Sequence, residues 1–564
     1  MTVGTWRVMG EQRVIVWVLG IIGLWATLVL WQPTRVDVVM LERRIEPFLQ
    51  GFYAPETASD GTAYRWSDGA GIVQNLVLPA SQHVLWGVTV AAPLVPLGLD
   101  INELTVLHAQ RRHYFFFAPT TQWWGENTLV LRSTRFADEN EARMLGVRVV
   151  AVRVQQPVSL FPAAGTFVAG LLLLIGFVVG ARVVGMRPAA DVAALLAALA
   201  VVALLHWLDR RAAAIWMREL AAIAILVPPV CLLLRRWFPV ALSTGWGVVL
   251  AIRLWGIRYP GFEGHDYQIH LRRLAQFRTG ILSLVAHPYE YGRRQSIILP
   301  LYYRFADALA QLLSAPLAMH LIIVVAETSV ALMVYQLLVR AELTPRAALF
   351  AALGVLLVPL SSTVLYWAFM QQITAHVVTF AIAATALSTR RRDHWLSGVL
   401  LAVVGLTHIG EALIAAVWYT ALRLGQVDRF SAAWWRRWIS PVLALGTVIP
   451  VYQPFLIGVG QDRGTLLRGV SPDVWAQMGV AVEIAVAPIP LAAAVLLVGV
   501  FALRRPRLVL PWALTTAGFW LVEVMTQAQV RYLYTGAPLV FAALGVALAP
   551  VWQRGRAAKV LVCL

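Results

Sequence analysis

Apolar runs of about 18 residues or more recur along most of this chain, each long enough to cross a bilayer's hydrocarbon core as a helix. The composition agrees: 59% of residues are hydrophobic, 13% are charged, and the mean hydropathy is +0.71. These features predict a polytopic α-helical membrane protein. The formal charge of +17 arises from 46 basic against 29 acidic residues. Much of the excess lies in short clusters between apolar runs, as in loops facing the cytoplasm, so nucleic acid is not expected as a partner. No small-residue cleavage site follows the first run, Val14 to Leu30, which reads as a retained anchor. The two cysteines, Cys231 in an apolar run and Cys563 beside the C-terminal residue, have no common setting that would make a disulfide framework or metal knuckle.

Three regions follow. Residues 1–32 form the anchor, 33–160 an inserted soluble domain, and 161–564 a multispanning domain with a distinctive loop over 257–317. Between Pro33 and Gln156 the chain carries β-rich runs such as 71–78, 83–90, 128–132 and 146–154, with turn-rich Ser59-Asp-Gly61 and Ser67-Asp-Gly69 among them. An antiparallel β-sandwich is the natural expectation. Beyond Phe161, spans are expected near 163–184, 189–207, 219–235, 240–256, 318–340, 345–361, 370–388, 394–411, 412–425, 439–456, 479–503, 509–525 and 535–551. With the anchor, the total is about fourteen.

Basic clusters set the orientation: Arg182 and Arg187, Arg235 and Arg236, Arg340 and Arg346, Arg390 to Arg392, Arg436 and Arg437, Arg504 to Arg507, and Arg554 and Arg556 fall on one side, taken as cytoplasmic. The β-domain and the loop from Tyr259 to Pro300 are then extracytoplasmic. Asp209, Arg210, Arg211 and Arg218 come out external on the same count, which leaves open a paired miscount in the third and fourth spans. From Leu299 to Leu313, Pro300, Arg304 and Asp307 interrupt the apolar pattern, which suits an interfacial amphipathic helix.

The loop reads Gly261-Phe-Glu-Gly-His-Asp-Tyr-Gln-Ile-His-Leu-Arg-Arg273, then Ala286-His-Pro-Tyr-Glu-Tyr-Gly-Arg-Arg-Gln295, then Pro300-Leu-Tyr-Tyr-Arg304. A carboxylate just beyond a spanning helix is placed to meet a substrate whose lipid half lies in the membrane. Asp266 is the best candidate for a base that deprotonates an acceptor hydroxyl; the alternative is an ion pair with Arg272 or Arg273 that shapes the loop. Glu263, His265 and His270 complete the candidate catalytic group. Together they match no dedicated metal-binding motif, and a divalent metal stays open. A phosphate needs positive charge that persists at neutral pH, which points to Arg531, Arg293 and Arg294; for Arg531 snorkelling to the headgroups is an equal alternative. Tyr532 and His408 join this phosphate-binding group. Glu411, Tyr289 and Tyr291 are candidates for lining the acceptor cavity. His408 and Glu411 are expected on adjacent turns at the outer end of a span, either touching that cavity or forming a buried His–Glu pair between helices. In the β-domain, Trp66 is expected in the core, whereas Trp123 and Trp124 stay open as a sugar-stacking pair.

Three features carry a family resemblance: Gly264-His265-Asp266 with His270 in the first outer loop, the Pro-Leu-Tyr-Tyr segment, and Arg531-Tyr532-Leu-Tyr-Thr-Gly-Ala-Pro538 before the last span. Over about residues 240 to 550 the chain resembles the GT-C glycosyltransferases, multispanning enzymes that take sugars from polyprenyl-phosphate carriers. The outer region looks like the jelly-roll domains attached to some bacterial membrane glycosyltransferases. The resemblance implies inverting sugar transfer to a glycan, lipid or protein hydroxyl at the outer face of the plasma membrane. It also implies Asp266 as base and outer-face basic residues as carrier-phosphate ligands. The chain departs from the oligosaccharyltransferase and protein-mannosyltransferase subgroups, which show an acidic pair in the loop and further C-terminal soluble domains. The rival from another class is a lipid or polysaccharide transporter or flippase, which would distribute charges through the bilayer depth. A glycan-binding scaffold is a third reading, and so many spans exceed what an anchor needs.

Overall fold

Helix α1 (Val3–Leu30) is followed by antiparallel strands whose first and last members, β1 (Arg35–Val39) and β12 (Arg148–Gln155), pair with each other from Arg35↔Gln155 to Val39↔Ala151. The computed structural model describes residues 3–552 except 33–34, 41, 43–47, 79–82, 92–95, 120–125, 139–140, 157–158, 184, 187–189, 258–265, 279, 281–284, 287–295, 298, 314, 359, 362–363, 366–367, 389, 427–429, 460–478, 481, 484 and 527–532. The chain divides into two compact units, the first running to Leu233 and the second taking up the chain from Leu234.

In the first unit, β4 (Ala63–Val77) organises the sheet. Its start pairs with β12, and its later residues pair with β9 (Glu126–Ser133) on one side and β2 (Leu49–Phe52) on the other. The path β7 (Leu104–Ala109), β6 (Leu97–Ile101), β9, β4, β12, β5 (His83–Val90), β8 (His113–Pro119) is therefore continuous, with β4 passing from one layer to the other. Gly69 takes φ 98° at that passage, a conformation that favours glycine. Alternate residues of both halves point inward, so Val73, Leu99 and Leu131 share one buried core with Val38, Trp86 and Val152. Trp66 is 4% exposed, packs on Tyr64 and Leu145, and lies under the Arg148 guanidinium at 4.4 Å, as expected for a core residue. Trp123 and Trp124 lie outside the described residues.

Helices α2 (Ala164–Val183), α3 (Asp191–Leu208) and α4 (Ala213–Leu234) pack with α1 around Leu24, Leu28, Leu173, Val202 and Met217. The α3–α4 turn, which carries the dissenting basic cluster, packs on the β-domain. Arg211 donates from its guanidinium to the Glu42 carboxylate (2.8 Å) and the Asp37 carbonyl (2.8 Å), while its Nε bonds Asp209 at 3.1 Å. Ala212 belongs to the β-domain core, with Ile215 and Trp216 against it. This turn therefore lies at the same helix ends as the β-domain. Burial opposes the Arg211 charge, but bonds and attraction from Asp209 and Glu42 outweigh it and raise its pKa.

The second unit is built from α5 (Val240–Ile257), α6 (Tyr267–Arg278), α7 (Pro300–Ala310), α8 (Ala315–Arg340), α9 (Pro345–Leu356), α10 (Met370–Ala386), α11 (Arg391–Gly405), α12 (Ile409–Leu424), the short α13 (Ala432–Arg436), α14 (Ile439–Val459), α15 (Leu491–Arg504), α16 (Pro506–Thr526) and α17 (Leu533–Val551). A two-stranded ladder, β13 (Val285–Ala286) with β14 (Ser296–Ile297), lies between α6 and α7. Two expected spans are shorter than the sequence implied. The helix expected over 345–361 ends at Leu356, because Val358 precedes Pro359 and that position disfavours helical backbone. The helix expected over 479–503 is broken: 479–480, 482–483 and 485–486 are helical, Pro488 and Pro490 lack N–H donors and interrupt the ladder, and the continuous helix starts at Leu491.

Among the described residues, six helices are long and apolar enough to cross a membrane: α2, α3, α4, α5, α8 and most of α17. Only 33%, 28%, 22% and 39% of the most apolar windows of α2 to α5 are buried, so much of their Leu, Val and Trp surface suits lipid rather than water. The corresponding windows of α8 and α17 are 67% and 61% buried, which marks them as central. Small residues let α17 lie close to α9: a Cβ on Gly545 would stand 2.4 Å from the Ala351 nitrogen, and one on Gly354 would stand 2.8 Å from the Phe541 carbonyl oxygen.

Several arginines of this unit gather at one end. Arg340 pairs with Asp393 (3.3 Å), Arg423 bonds the Ala386 carbonyl (3.0 Å) and Gln426 (2.6 Å), Arg437 reaches Gln426 (3.2 Å), and Arg505 bonds the Glu342 carbonyl (3.1 Å). The opposite end holds α6 and α7, with Leu299 packed on Val448 and Tyr452 of α14 and on Leu406.

Candidate functional site

Helix α6 positions Asp266 and His270. Asp266 sits just before the first helical residue, half-buried, and its carbonyl accepts the His270 N–H at 3.1 Å. With Arg273, these residues recur at the spacing that shares one helix face. That face meets α7. The His270 Nδ1 lies 2.8 Å from the Tyr303 hydroxyl, and both Asp266 and Arg273 act electrostatically on that hydroxyl. The ion pair that would shape the loop is therefore geometrically available to Arg273, while Arg272 is exposed.

Helix α7 begins at Pro300 in the first-turn position that suits proline. Tyr302, Tyr303 and Ala306 are buried on one side, while Arg304, Phe305 and Leu312 are exposed, the last two at 66% and 83%. Tyr302 and Tyr303 meet edge to face at 5.3 Å, and the Tyr302 hydroxyl donates to Met370 Sδ at 3.0 Å. Gln371 donates to the Leu299 carbonyl (3.1 Å), and Arg278 Nε bonds Asp307 (2.8 Å), so α10 and α6 both hold α7 in place. Burial raises the Tyr303 pKa to about 12, with Arg273 opposing the shift. At neutral pH the phenol keeps its proton, and its bond to His270 joins a phenol to an imidazole.

Glu411 is fully buried on α12, and the sequence-based expectation for it needs correction. His408 is the N-cap of α12 in extended backbone, and its Nδ1 accepts the Glu411 N–H at 3.2 Å; the two do not occupy adjacent turns of one helix. The helix-joining partner of Glu411 is instead His376 of α10, whose Nδ1 lies 3.5 Å away with neither side chain exposed. Gln372 donates to Glu411 Oε1 (3.2 Å), and Thr379 Oγ1 stands 3.2 Å from Oε2. The His376 ring stacks on Tyr534 of α17 at 3.9 Å. Near Tyr534, Arg253 of α5 pairs with Glu327 of α8 and also reaches Thr328 (3.4 Å) and the Leu356 carbonyl (3.2 Å). Glu327, Arg253 and Glu411 all act on the Tyr534 hydroxyl.

These groups form a buried polar cluster that links five helices, and sequence reasoning missed Arg253, Glu327, Gln372, His376 and Tyr534. Their signal was present: Arg253, Glu327 and His376 are ionisable residues inside long apolar runs, where desolvation demands a partner. Ionisable residues of this unit therefore lie inside the helix bundle as well as at its ends. Helix α10 connects the two groups, with Met370 touching Tyr302, and Gln372 and His376 following on the next turns.

Glu263, His265, Tyr289, Tyr291, Arg293, Arg294, Arg531 and Tyr532 lie outside the described residues; the β13–β14 ladder joins the chain on either side of 287–295. Among the described residues no three His, Cys, Asp or Glu side chains converge to hold a metal. No protein-family model matches this sequence, and comparisons with curated proteins and solved structures return no match.

Proposed function

We propose that this protein is an integral membrane glycosyltransferase of GT-C type. It crosses the plasma membrane about fourteen times, with the β-domain and the α6–α7 site outside and the arginine-rich end inside. The observation that carries the reading is the α6–α7 site itself. A half-buried carboxylate, an imidazole bonded to a phenol, a helix exposing Phe305 and an exposed Leu312 just beyond it lie at the end of the unit opposite Arg340, Arg423, Arg437 and Arg505. Such a site suits a donor whose polyprenyl chain stays in lipid while its phosphate and sugar reach the aqueous boundary.

In the proposed reaction, the acceptor hydroxyl loses its proton to the Asp266 carboxylate as its oxygen bonds to the sugar's anomeric carbon. The bond from that carbon to the phosphate oxygen breaks, and the polyprenyl phosphate leaves with the electron pair, inverting the centre. Arg531, Arg293 and Arg294, with Tyr532 and His408, are the groups assigned to the leaving phosphate. His270 and Tyr303 act as positioning residues that hold the first turns of α6 against α7.

One observation favours the alternative of a transporter or flippase. The cluster of Arg253–Glu327 and His376–Glu411 places charges inside the helix bundle, as substrate pathways do. The deciding experiment supplies purified protein with a labelled polyprenyl-phosphate sugar, once in detergent with candidate acceptors and once in sealed liposomes. Transfer of label to an acceptor in detergent supports the enzyme. Movement of the intact labelled lipid between leaflets, without transfer, supports the transporter and overturns the enzyme.

A further inference from the structure

Where α1 and α2 meet the β-domain, the first unit holds a cleft at the β-domain ends of α1 to α4. Its walls are apolar, with Leu28, Val36 and Pro162 among them, and its polar atoms come from Gln32, Thr166, His206 and Arg210. Thr166 is 6% exposed, and its Oγ1 has no hydrogen-bond partner among the described residues. The same holds for Gln32 Oε1, although Gln32 Nε2 donates to the Phe161 carbonyl at 3.4 Å. His206 is 5% exposed; its Nδ1 lies 2.8 Å from the Val202 carbonyl, which leaves Nε2 as an acceptor.

The two arginines beside the cleft differ in their commitments. Arg211 is occupied by Asp209 and Glu42. Arg210 contacts no carboxylate among the described residues; its guanidinium lies over the Trp31 ring at 5.2 Å. Within two residues of lining residues Leu28, Gln32, Pro162 and His206, the side chains of Leu30, Leu160, Phe161 and Trp207 are exposed at 79%, 67%, 75% and 70%. A mostly apolar cleft that holds a few polar groups and a cation, with bare apolar side chains beside its lining residues in sequence, matches a ligand with a charged head and hydrocarbon tails. A free phosphate would leave those side chains in water.

We propose that this cleft binds an anionic phospholipid, its phosphate on Arg210 and a headgroup hydroxyl donating to Thr166 Oγ1, with Gln32 and His206 lining the same cleft. The acyl chains then lie along the exposed surface of α1 to α3. The bound lipid would join the β-domain to its helices. The inference rests on the membrane reading of the helices and is independent of the transferase reading.

The test delipidates the purified protein and adds mixed micelles of phosphatidylglycerol or phosphatidylcholine, or inorganic phosphate alone. Bound lipid is counted by native mass spectrometry, and stability is followed by thermal melting. Phosphatidylglycerol is expected to bind and raise the melting temperature, with affinity about tenfold weaker in Arg210→Gln. Thr166→Val should also weaken binding. Because its hydroxyl is buried without a partner, this variant should melt no lower than wild type before lipid is added. It therefore keeps the test valid even if Arg210→Gln misfolds. Equal binding of the two phospholipids, or undiminished phosphatidylglycerol binding in Thr166→Val, would overturn the proposal. Inorganic phosphate giving the same stabilisation as phosphatidylglycerol would overturn the lipid as its source.

Discussion

His376 and Glu411 face each other across α10 and α12 at 3.5 Å, both wholly shielded, with the Tyr534 ring stacked over the imidazole. Removing either partner leaves the other polar group in a setting that cannot solvate it. Glu411→Ala should cost about 3 kcal/mol or more, the usual scale for breaking a buried pair. A double-mutant cycle with His376→Gln, read from thermal melting in detergent, should return a coupling of about 1 kcal/mol or more. Additive effects would mean that the pair contributes nothing jointly.

Asp266→Asn keeps the size of the side chain and removes the base. Sugar transfer by the purified variant should fall by about 100-fold or more while its melting curve stays close to wild type. If Asp266 instead shapes the loop through Arg273, the melting temperature falls and the folded fraction retains its activity.

Tyr303 ties stability to alkaline pH. Its pKa is raised by burial from the usual tyrosine value of 10.0 to about 12. Above the unfolded value the unfolded chain has released this proton and the folded chain still holds it, so stability falls as pH rises. The contribution is complete below pH 10 and is lost by about pH 12. A shift of that size corresponds to about 3 kcal/mol. Denaturation midpoints across this window should fall more steeply for wild type than for Tyr303→Phe; parallel slopes would contradict the shift.

The close approach of α9 and α17 leaves no room for a side chain at Gly545. Gly545→Leu should destabilise by about 1–3 kcal/mol or prevent folding. Gly446→Leu, where nothing lies within 4 Å, should change the melting point little. Equal effects would show that helix propensity rather than packing governs both sites.

For orientation, single cysteines replace exposed residues after Cys231 and Cys563 are removed. Asp60→Cys in the β-domain and Gln311→Cys beyond α7 should react with an impermeant thiol reagent in intact cells, and Arg391→Cys only after permeabilisation. The reverse pattern would invert the proposed topology.

Much of the architecture was legible because its causes are local. Run length and hydropathy marked the helices, alternation marked strands such as β12, and Pro300 with its polar neighbours marked α7. Even the early stops are local, since Pro359, Pro488 and Pro490 stand in the sequence. The buried cluster was not legible, because Arg253 and Glu327 are 74 residues apart and His376 and Glu411 lie on different helices. A lone charge in an apolar run announces that it has a partner without saying which. Glu411 shows the same limit: His408 is its nearest histidine in sequence, and the side-chain partner lies on α10.

The pairing of β1 with β12 has a consequence for biogenesis. The chain leaves α1 through β1 and returns to α2 through β12, and residues paired in this way have Cα atoms only about 5 Å apart. Everything between is an excursion that begins and ends at nearly one point. During synthesis α1 emerges before its neighbours α2 and α3 exist, and closing the last strand against the first carries the next helix to its side. The β-domain thus serves as a clasp: a version with residues 36–154 replaced by a tight turn would still deliver α1 and α2 as an adjacent hairpin.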